Sequence, residues 1–283
     1  MPHPSDLSPP SADSIAADVA RALAEDLGPG DATAALLPDA PAHARVRCRE
    51  AAVIAGRPWF DACFRALDPA VDIAWHVAEG AHVAPDTVLC DLRGRARALV
   101  SAERSALNFL QLLSGTATVT AAFVAALHGT RTRVLDTRKT VPGLRLAQKY
   151  AVRAGGGVNH RIGLFDAVML KENHILAAGS IDAAVAAARR LHPGLPLICE
   201  VETLAELRAA IAARVDRVLI DDFSLEDMHE AVRIAAGQVP LEVSGGVSLE
   251  TARRYAETGV DFISVGALTK HVRAIDLSLR LVD

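Results

Sequence analysis

Apolar positions in the first hundred residues recur at two periods. In SIAADVARALAEDLG, Ile15, Val19, Leu23 and Leu27 stand four apart, one face of a helix, and Gly28-Pro29-Gly30-Asp31 ends it. ARVRCRE alternates as a strand does. PWFDACFRAL places Phe60, Cys63, Phe64 and Leu67 on one helical side, with Pro58 at the start. VDIAWHV alternates again, and LRGRARALV sets Arg93, Arg95 and Arg97 on one strand face, read as solvated, and Ala96, Ala98 and Val100 on the other. A long apolar helix follows in SAERSALNFLQLLSGTATVTAAFVAALHG. Ser101 is expected to cap it and Ser114-Gly115 to bend it, which puts Arg104 in the first turn, a poor place for a cation. Residues 14–107 therefore read as one α+β unit.

From residue 131 the rhythm changes. Six short β-rich runs appear: RVLDTRK, DAVMLKEN, LPLICEVE, DRVLIDD, PLEVSGG and DFISVGA. Between them lie helices starting at Ser180, Thr203, Ser224 and Ser248, and Thr203 with Glu206 makes a capping-box pattern. This alternation predicts βαβ units and a parallel sheet. The span is short for eight regular units, so the expectation is an α/β barrel with fewer, or an open doubly wound sheet.

In either fold the ligand site lies beyond the carboxyl ends of the strands. The residues found there are Asp136, Thr137, Arg138 and Lys139; Lys171, Glu172 and Asn173; Glu200 and Glu202; Asp221 and Asp222; Ser244, Gly245 and Gly246; and Gly266. Three chemistries meet. Arg138, Lys139 and Lys171, with His160 and Arg161 from AGGGVNHRIG, form a cationic group that repels itself unless an anion neutralises it, and carboxylates suit Arg well. Glu200 and Asp221, one strand apart, are suited to Mg2+ or sugar hydroxyls. SGG and VGA, at the last two strands, are candidates for a phosphate cradle of backbone amides. A substrate with carboxylates, a phosphate and a metal-binding group would satisfy all three.

Composition narrows the partners. The 283 residues are half apolar and carry a net charge of −4, which gives no global reason to expect nucleic acid or an anionic membrane. No apolar run approaches about 18 residues, so no transmembrane helix is expected. The start, MPHPSDLSPPSAD, lacks a secretory pattern and reads as a disordered tail over 1–13. Cys48, Cys63, Cys90 and Cys199 have no metal-type spacing and read as buried thiols in a reducing compartment, the cytoplasm. Only four residues are Lys (139, 149, 171 and 270) against 26 Arg, so each ammonium invites a special role. AEGAHVAPDTVL is similar to the short strands of a biotinyl or lipoyl carrier, but no lysine precedes position 139 to be modified.

The block DTRKTVPGLRLAQKYAVRAGGGVNHRIGLFDAVMLKENHI closely resembles the quinolinate phosphoribosyltransferases, and the resemblance continues through CEVET, VLIDDFS, LEVSGGV, DFISVGALTK and, upstream, EDLGPGDATA and ERSALNFLQLLSGTAT. It implies an N-terminal α/β sandwich over 14–107, joined by the C-terminal tail 272–283, and an incomplete α/β barrel over 108–271. It implies transfer of a phosphoribosyl group from 5-phosphoribosyl-1-diphosphate to quinolinate, with loss of CO2 and pyrophosphate, giving nicotinate mononucleotide for NAD synthesis. Mg2+ is the implied cofactor, and the assembly a homodimer or hexamer with the N-terminal domain of one subunit over the barrel mouth of another. Carried over by residue, Thr137, Arg138, Lys139, His160, Arg161 and Lys171 resemble the quinolinate pocket, with Arg104 lent by a partner subunit. Glu200 and Asp221 resemble the ribose and Mg2+-diphosphate ligands. Ser244, Gly245, Gly246, Val265, Gly266 and Ala267 resemble the 5-phosphate cradle, with His271 near a phosphate. The rivals are a phosphoribosyltransferase for another base, such as nicotinate, and a non-catalytic phospho-ligand sensor.

Overall fold

The computed structural model describes residues 7–282. In chain order its elements begin with α1 (Ala12–Leu27), β1 (Pro41–Cys48), β2 (Ala52–Val53), α2 (Arg57–Leu67), β3 (Asp72–Trp75), β4 (His82–Val83), β5 (Val88–Arg95) and α3 (Ala96–Ala126). The strand-helix series follows: β6 (Arg133–Leu135), α4 (Arg145–Ala154), β7 (Val168–Leu170), α5 (Glu172–Ala178), α6 (Ile181–Leu191), β8 (Leu197–Val201) and α7 (Leu204–Ala212). It closes with β9 (Arg217–Asp221), α8 (Leu225–Ala235), β10 (Leu241–Ser244), α9 (Leu249–Glu257), β11 (Phe262–Ser264), α10 (Ala267–Lys270) and β12 (Leu277–Val282). Two compact units emerge. One comprises residues up to 121 with 140–156 and 268 onward; the other comprises 122–139 and 157–267.

The first unit is built on an antiparallel sheet ordered β12-β1-β5-β3. Its core gathers the inner face of α1 (Ile15, Val19, Leu23) and the aromatic face of α2, where Trp59, Phe60 and Phe64 are 0–1% exposed. Each such ring contributes roughly 1.5–3 kcal/mol by leaving water. Trp59 Nε1 donates to Asp18 Oδ2 at 3.0 Å, so the buried indole keeps a partner. The last strand, β12, pairs with β1 from His43↔Val282 to Cys48↔Leu277.

Three expectations for this region change. The strand read through Val100 stops at Arg95, and α3 begins at Ala96. The Ala/Arg alternation of RARAL suits either period, and Ala and Arg are both good helix formers. Ser101 is therefore inside the helix rather than at its cap, and its hydroxyl donates to Asp31 Oδ2 at 2.7 Å. Arg104, exposed, lies in the third turn, so the unfavourable end-charge argument does not apply to it. Against expectation, α3 is by length and composition able to cross a bilayer. Leu99, Leu107, Leu110 and Leu113 of this helix are 0–1% exposed within the core cluster. Finally, residues 1–6 lie outside the described residues, but the disordered reading fails from residue 7. Ser11 caps α1, accepting from Ser14 N at 3.3 Å, and Arg153 donates to the Ser8 carbonyl.

The second unit holds the six expected strands as one parallel sheet, ordered β6-β11-β10-β9-β8-β7. β6 and β7 are its ends, so the sheet is an incomplete α/β barrel. Val158 forms a parallel bridge to Leu135 on the free side of β6, a stave no periodicity announced. Ser180, Thr203, Ser224 and Ser248 are the N-caps of α6, α7, α8 and α9, and Thr203 and Glu206 bond reciprocally. Helix α5 was not anticipated; Lys171 stands at its N-cap and Gly179, at φ +89°, at its end.

Candidate active site at the carboxyl ends of the barrel strands

Register decides what faces inward. Met169 pairs with Ile198, Ile198 with Arg217, Leu219 with both Glu200 and Glu242, and Glu242 with Phe262. Partners in a parallel ladder share a face, and Ile198, Leu219 and Met169 do pack together. Two residues further along each strand the same face presents Lys171, Glu200, Asp221, Ser244 and, beyond Ser264, Gly266. Leu135 pairs with Ser264, so Thr137 and Lys139 continue that face past β6. The period of two thus brings seven of the sequence candidates to one rim.

The contacts agree with that placement. A methyl on Gly266 would stand 3.1 Å from Lys139 Cδ, 3.6 Å from Thr137 Oγ1 and 3.9 Å from Lys139 Nζ. The Lys139 stem therefore lies across the bare glycine. Lys171 Nζ is ion-paired with Glu200 Oε2 on the neighbouring strand. Asp221 pairs in register with Ser244, and a methyl on Gly245 would stand 3.1 Å from Asp221 Oδ1. Gly245 and Gly246 have φ of +88° and +57°, left-handed conformations open to glycine. Asp222 is also left-handed at φ +56°, which turns the chain sharply after Asp221.

The loop 157–167 brings a second set of groups. Arg161 donates from Nη1 to the Ala167 carbonyl at 3.2 Å, and Nη2 lies 3.6 Å from Met169 Sδ. Burial, and then the like charge of Arg138, push the Arg161 guanidinium below its usual pKa. Two guanidiniums held where they oppose one another make a receptor for an anion. Buried Asp136 fixes this loop, accepting from His160 N at 2.8 Å and Asn159 Nδ2 at 2.6 Å. His160 is itself buried and faces the barrel interior through Nε2, 3.3 Å from Glu242 Oε1.

Other candidates sit differently. The Val265 amide is engaged in the sheet, donating to the Leu135 carbonyl at 2.9 Å, and Ala267 opens α10. Arg104 and His271 are exposed and belong to the first compact unit.

Sequence reasoning passed over Glu242. Its side chain is 0% exposed, and it takes Arg217 Nη1 at 3.0 Å on Oε2 and the Ser264 hydroxyl on Oε1. Burial pushes its carboxyl pKa up, but His160, Ser264 and Arg217 outweigh this and hold it below the usual range. The signal was present: a lone carboxylate between Leu241 and Val243 in a buried strand has to be paired. Among the described residues no group of three or more His, Cys, Asp or Glu side chains forms a metal cage.

Known proteins carry the same plan. Residues 31–114 match the N-terminal domain of quinolinate phosphoribosyl transferase, and residues 116–280 match its C-terminal domain. A nicotinate-nucleotide pyrophosphorylase (carboxylating) of Mycobacterium leprae is 46% identical over 241 residues, covering 82% of this chain and 84% of its own. A probable enzyme of the same name from Synechocystis is 44% identical, covering 92% and 90%. The solved nicotinate-nucleotide pyrophosphorylase of Francisella tularensis superposes with a TM-score of 0.95 at 47% identity, covering 98% of this chain and 99% of its own. With both domains matched across nearly the whole described chain, this protein belongs to the quinolinate phosphoribosyltransferase family.

Proposed function

We propose that this protein makes nicotinate mononucleotide from quinolinate and 5-phosphoribosyl-1-diphosphate, releasing CO2 and pyrophosphate, the step that feeds quinolinate into NAD synthesis. The observation that carries this reading is the shared inward face of Thr137, Lys139, Lys171, Glu200, Asp221, Ser244 and Gly266, with Arg138 and Arg161 beside it. A dicarboxylate needs more cations than a monocarboxylate does, and Arg138, Lys139, Arg161 and Lys171 supply four.

The residues divide the work by charge. Arg138, Arg161, Lys139 and Lys171 bind the two quinolinate carboxylates and aim the ring nitrogen at the anomeric carbon, so the gain is largely one of orientation. As pyrophosphate departs, positive charge grows on the ribose, and Glu200 and Asp221 face it as preorganised anions. The Lys171–Glu200 pair links the two sides, since moving one charge moves the other. Backbone amides at Ser244, Gly245, Gly246 and Gly266 cradle the 5-phosphate; the absent side chains let it approach. After alkylation the ring nitrogen is cationic, loss of CO2 from the adjacent carbon leaves an ylide which that cation stabilises, and that carbon then takes up a proton from water to give nicotinate mononucleotide. The pocket then holds the ring in place and has no need of a strong base.

Mg2+ fits this donor set. It keeps several waters and is held by one or two carboxylates plus substrate phosphates rather than by a protein cage. Glu200 and Asp221 would hold it, and it would supply charge neutralisation for the departing diphosphate. The working assembly is proposed as a homodimer or hexamer in which Arg104 of the partner subunit completes the cation pocket; its exposure on α3 supports this. A cytoplasmic location is proposed on the strength of four cysteines that are all free and buried.

The test is direct. Purified protein incubated with quinolinate, 5-phosphoribosyl-1-diphosphate and Mg2+ should yield CO2 and nicotinate mononucleotide in equal amounts, and neither when Mg2+ is withheld. Nucleotide formed from nicotinate but not from quinolinate would move the assignment to the other base.

A further inference from the structure

Glu242 is a carboxylate sealed inside a barrel, one layer below the rim. Arg217 is ion-paired with it at 3.0 Å, with the guanidinium also stacked 4.5 Å from the Phe262 ring centroid. A core ion pair needs no more, and such a pair can often be replaced by apolar residues at no cost to stability. Yet Oε1 reaches out to two further groups, Ser264 Oγ and His160 Nε2. The second comes from the loop that carries Arg161. His160 Nδ1 accepts the backbone N–H of Arg161 at 2.7 Å, so the ring proton is carried on Nε2, toward Glu242. Nδ1 is thus spent on a hydrogen bond to the protein itself, while Nε2 closely faces the Glu242 carboxylate. The His160 amide is in turn held by Asp136 at 2.8 Å. A continuous chain of contacts runs from the barrel axis, through one imidazole, to the backbone of a cation in the proposed pocket.

We infer that Glu242 and His160 are positioning residues that aim Arg161 at a substrate carboxylate, and that His160 acts through Arg161 rather than by touching the substrate. This rests on the quinolinate reading of the site. A buried imidazole bonded at Nδ1 and closely faced by a carboxylate at Nε2 has little room to rotate, so the residue that follows it in the chain inherits its orientation, as ligands do from the groups behind them. The Ser264 hydroxyl on the same oxygen fixes the carboxylate plane.

The test compares two double variants, neither of which buries a lone charge. Glu242→Gln with Arg217→Leu keeps an acceptor oxygen for His160. Glu242→Leu with Arg217→Leu removes it. KM for quinolinate, KM for 5-phosphoribosyl-1-diphosphate and the melting temperature are measured for each and for the wild type. The leucine pair should raise the quinolinate KM by about tenfold or more, leaving the other KM within about twofold, and the glutamine pair should recover most of that loss. Equal quinolinate KM in the two doubles, or losses that simply follow the melting temperature, overturn the inference. His160→Asn supplies the same reading from the loop side and should reproduce the leucine pattern; an unchanged quinolinate KM in that variant also overturns it. Wild-type enzyme silent toward quinolinate overturns the functional reading instead, and the inference with it.

Discussion

Replacing Gly266 by alanine isolates one contact of the proposed pocket. The backbone there is not left-handed, so alanine brings no conformational strain. The new methyl presses first on the Lys139 stem, 3.1 Å from Cδ, with Thr137 Oγ1 at an ordinary 3.6 Å. Lys139 is exposed, and the cheapest relief is for its ammonium to swing off the glycine. Stability should hold or rise slightly, since Gly→Ala at a compatible site is worth about 0.4–1 kcal/mol through the unfolded chain. Activity should not hold. Misplacing one charge-assisted hydrogen bond costs about 1.5–3 kcal/mol, or roughly 10- to 150-fold in kcat/KM. Quinolinate kcat/KM at saturating 5-phosphoribosyl-1-diphosphate is the assay, with a thermal melt alongside. Because the loss acts through Lys139, Gly266→Ala should add little to the weakening of quinolinate binding, read by direct titration, in a Lys139→Ala background. Wild-type kcat/KM in the single variant, or full additivity in the double, would refute the reasoning.

Lys139→Ala itself should abolish turnover without lowering the melting temperature by more than a few degrees; substantial residual nucleotide formation counts against its role. Gly245→Ala meets both a left-handed backbone at φ +88° and Asp221 Oδ1 at 3.1 Å, so it should cost about 1–2 kcal/mol and most of the activity, read by urea midpoint and rate. Arg104→Ala homo-oligomers should be inactive, and mixing them with Lys139→Ala subunits should restore measurable turnover, whereas silent mixtures would argue against a shared site. Asp91 receives Arg45 Nε at 2.8 Å, with His76 and His43 also on its oxygens, and these hold its pKa well below 3.8. Its stabilising contribution is therefore complete above that ordinary value and fades as the pH falls below it. Asp91→Asn should flatten the acid limb of the urea midpoint, and superimposable limbs would rule the contribution out.

The barrel strands could be read from the chain because each is a short apolar run followed by a polar break, and because Ser180, Thr203, Ser224 and Ser248 announce the helices between them. The rim could be read for the same reason: strand ends are visible in sequence, and a period of two carries each side chain to a definite face. What was missed lacks a local signature. The β5–α3 boundary falls within alternating Ala and Arg, which fit either element. Helix α5 has seven residues, too few for a helical period to show. The Val158 bridge and the Glu242–His160 contact join residues far apart in sequence, and only the folded sheet brings them together.

The pairing of β12 with β1 has a consequence for how the protein is made. Residues 41–48 leave the ribosome early, but their outer partner, 277–282, follows much later, with Glu50 waiting to receive the Asp276 amide at 2.8 Å. At about 5–20 residues per second, the 234 residues from Arg49 to Val282 take roughly 10–50 s to synthesise. Throughout that interval β1 is an open edge, the kind of surface on which nascent chains stick to one another. The parallel sheet, whose last strand ends at Ser264, can assemble first. The antiparallel sheet is thus completed only once 277–282 has been made, and slowing the codons that precede this strand should lengthen the period in which a chaperone is needed.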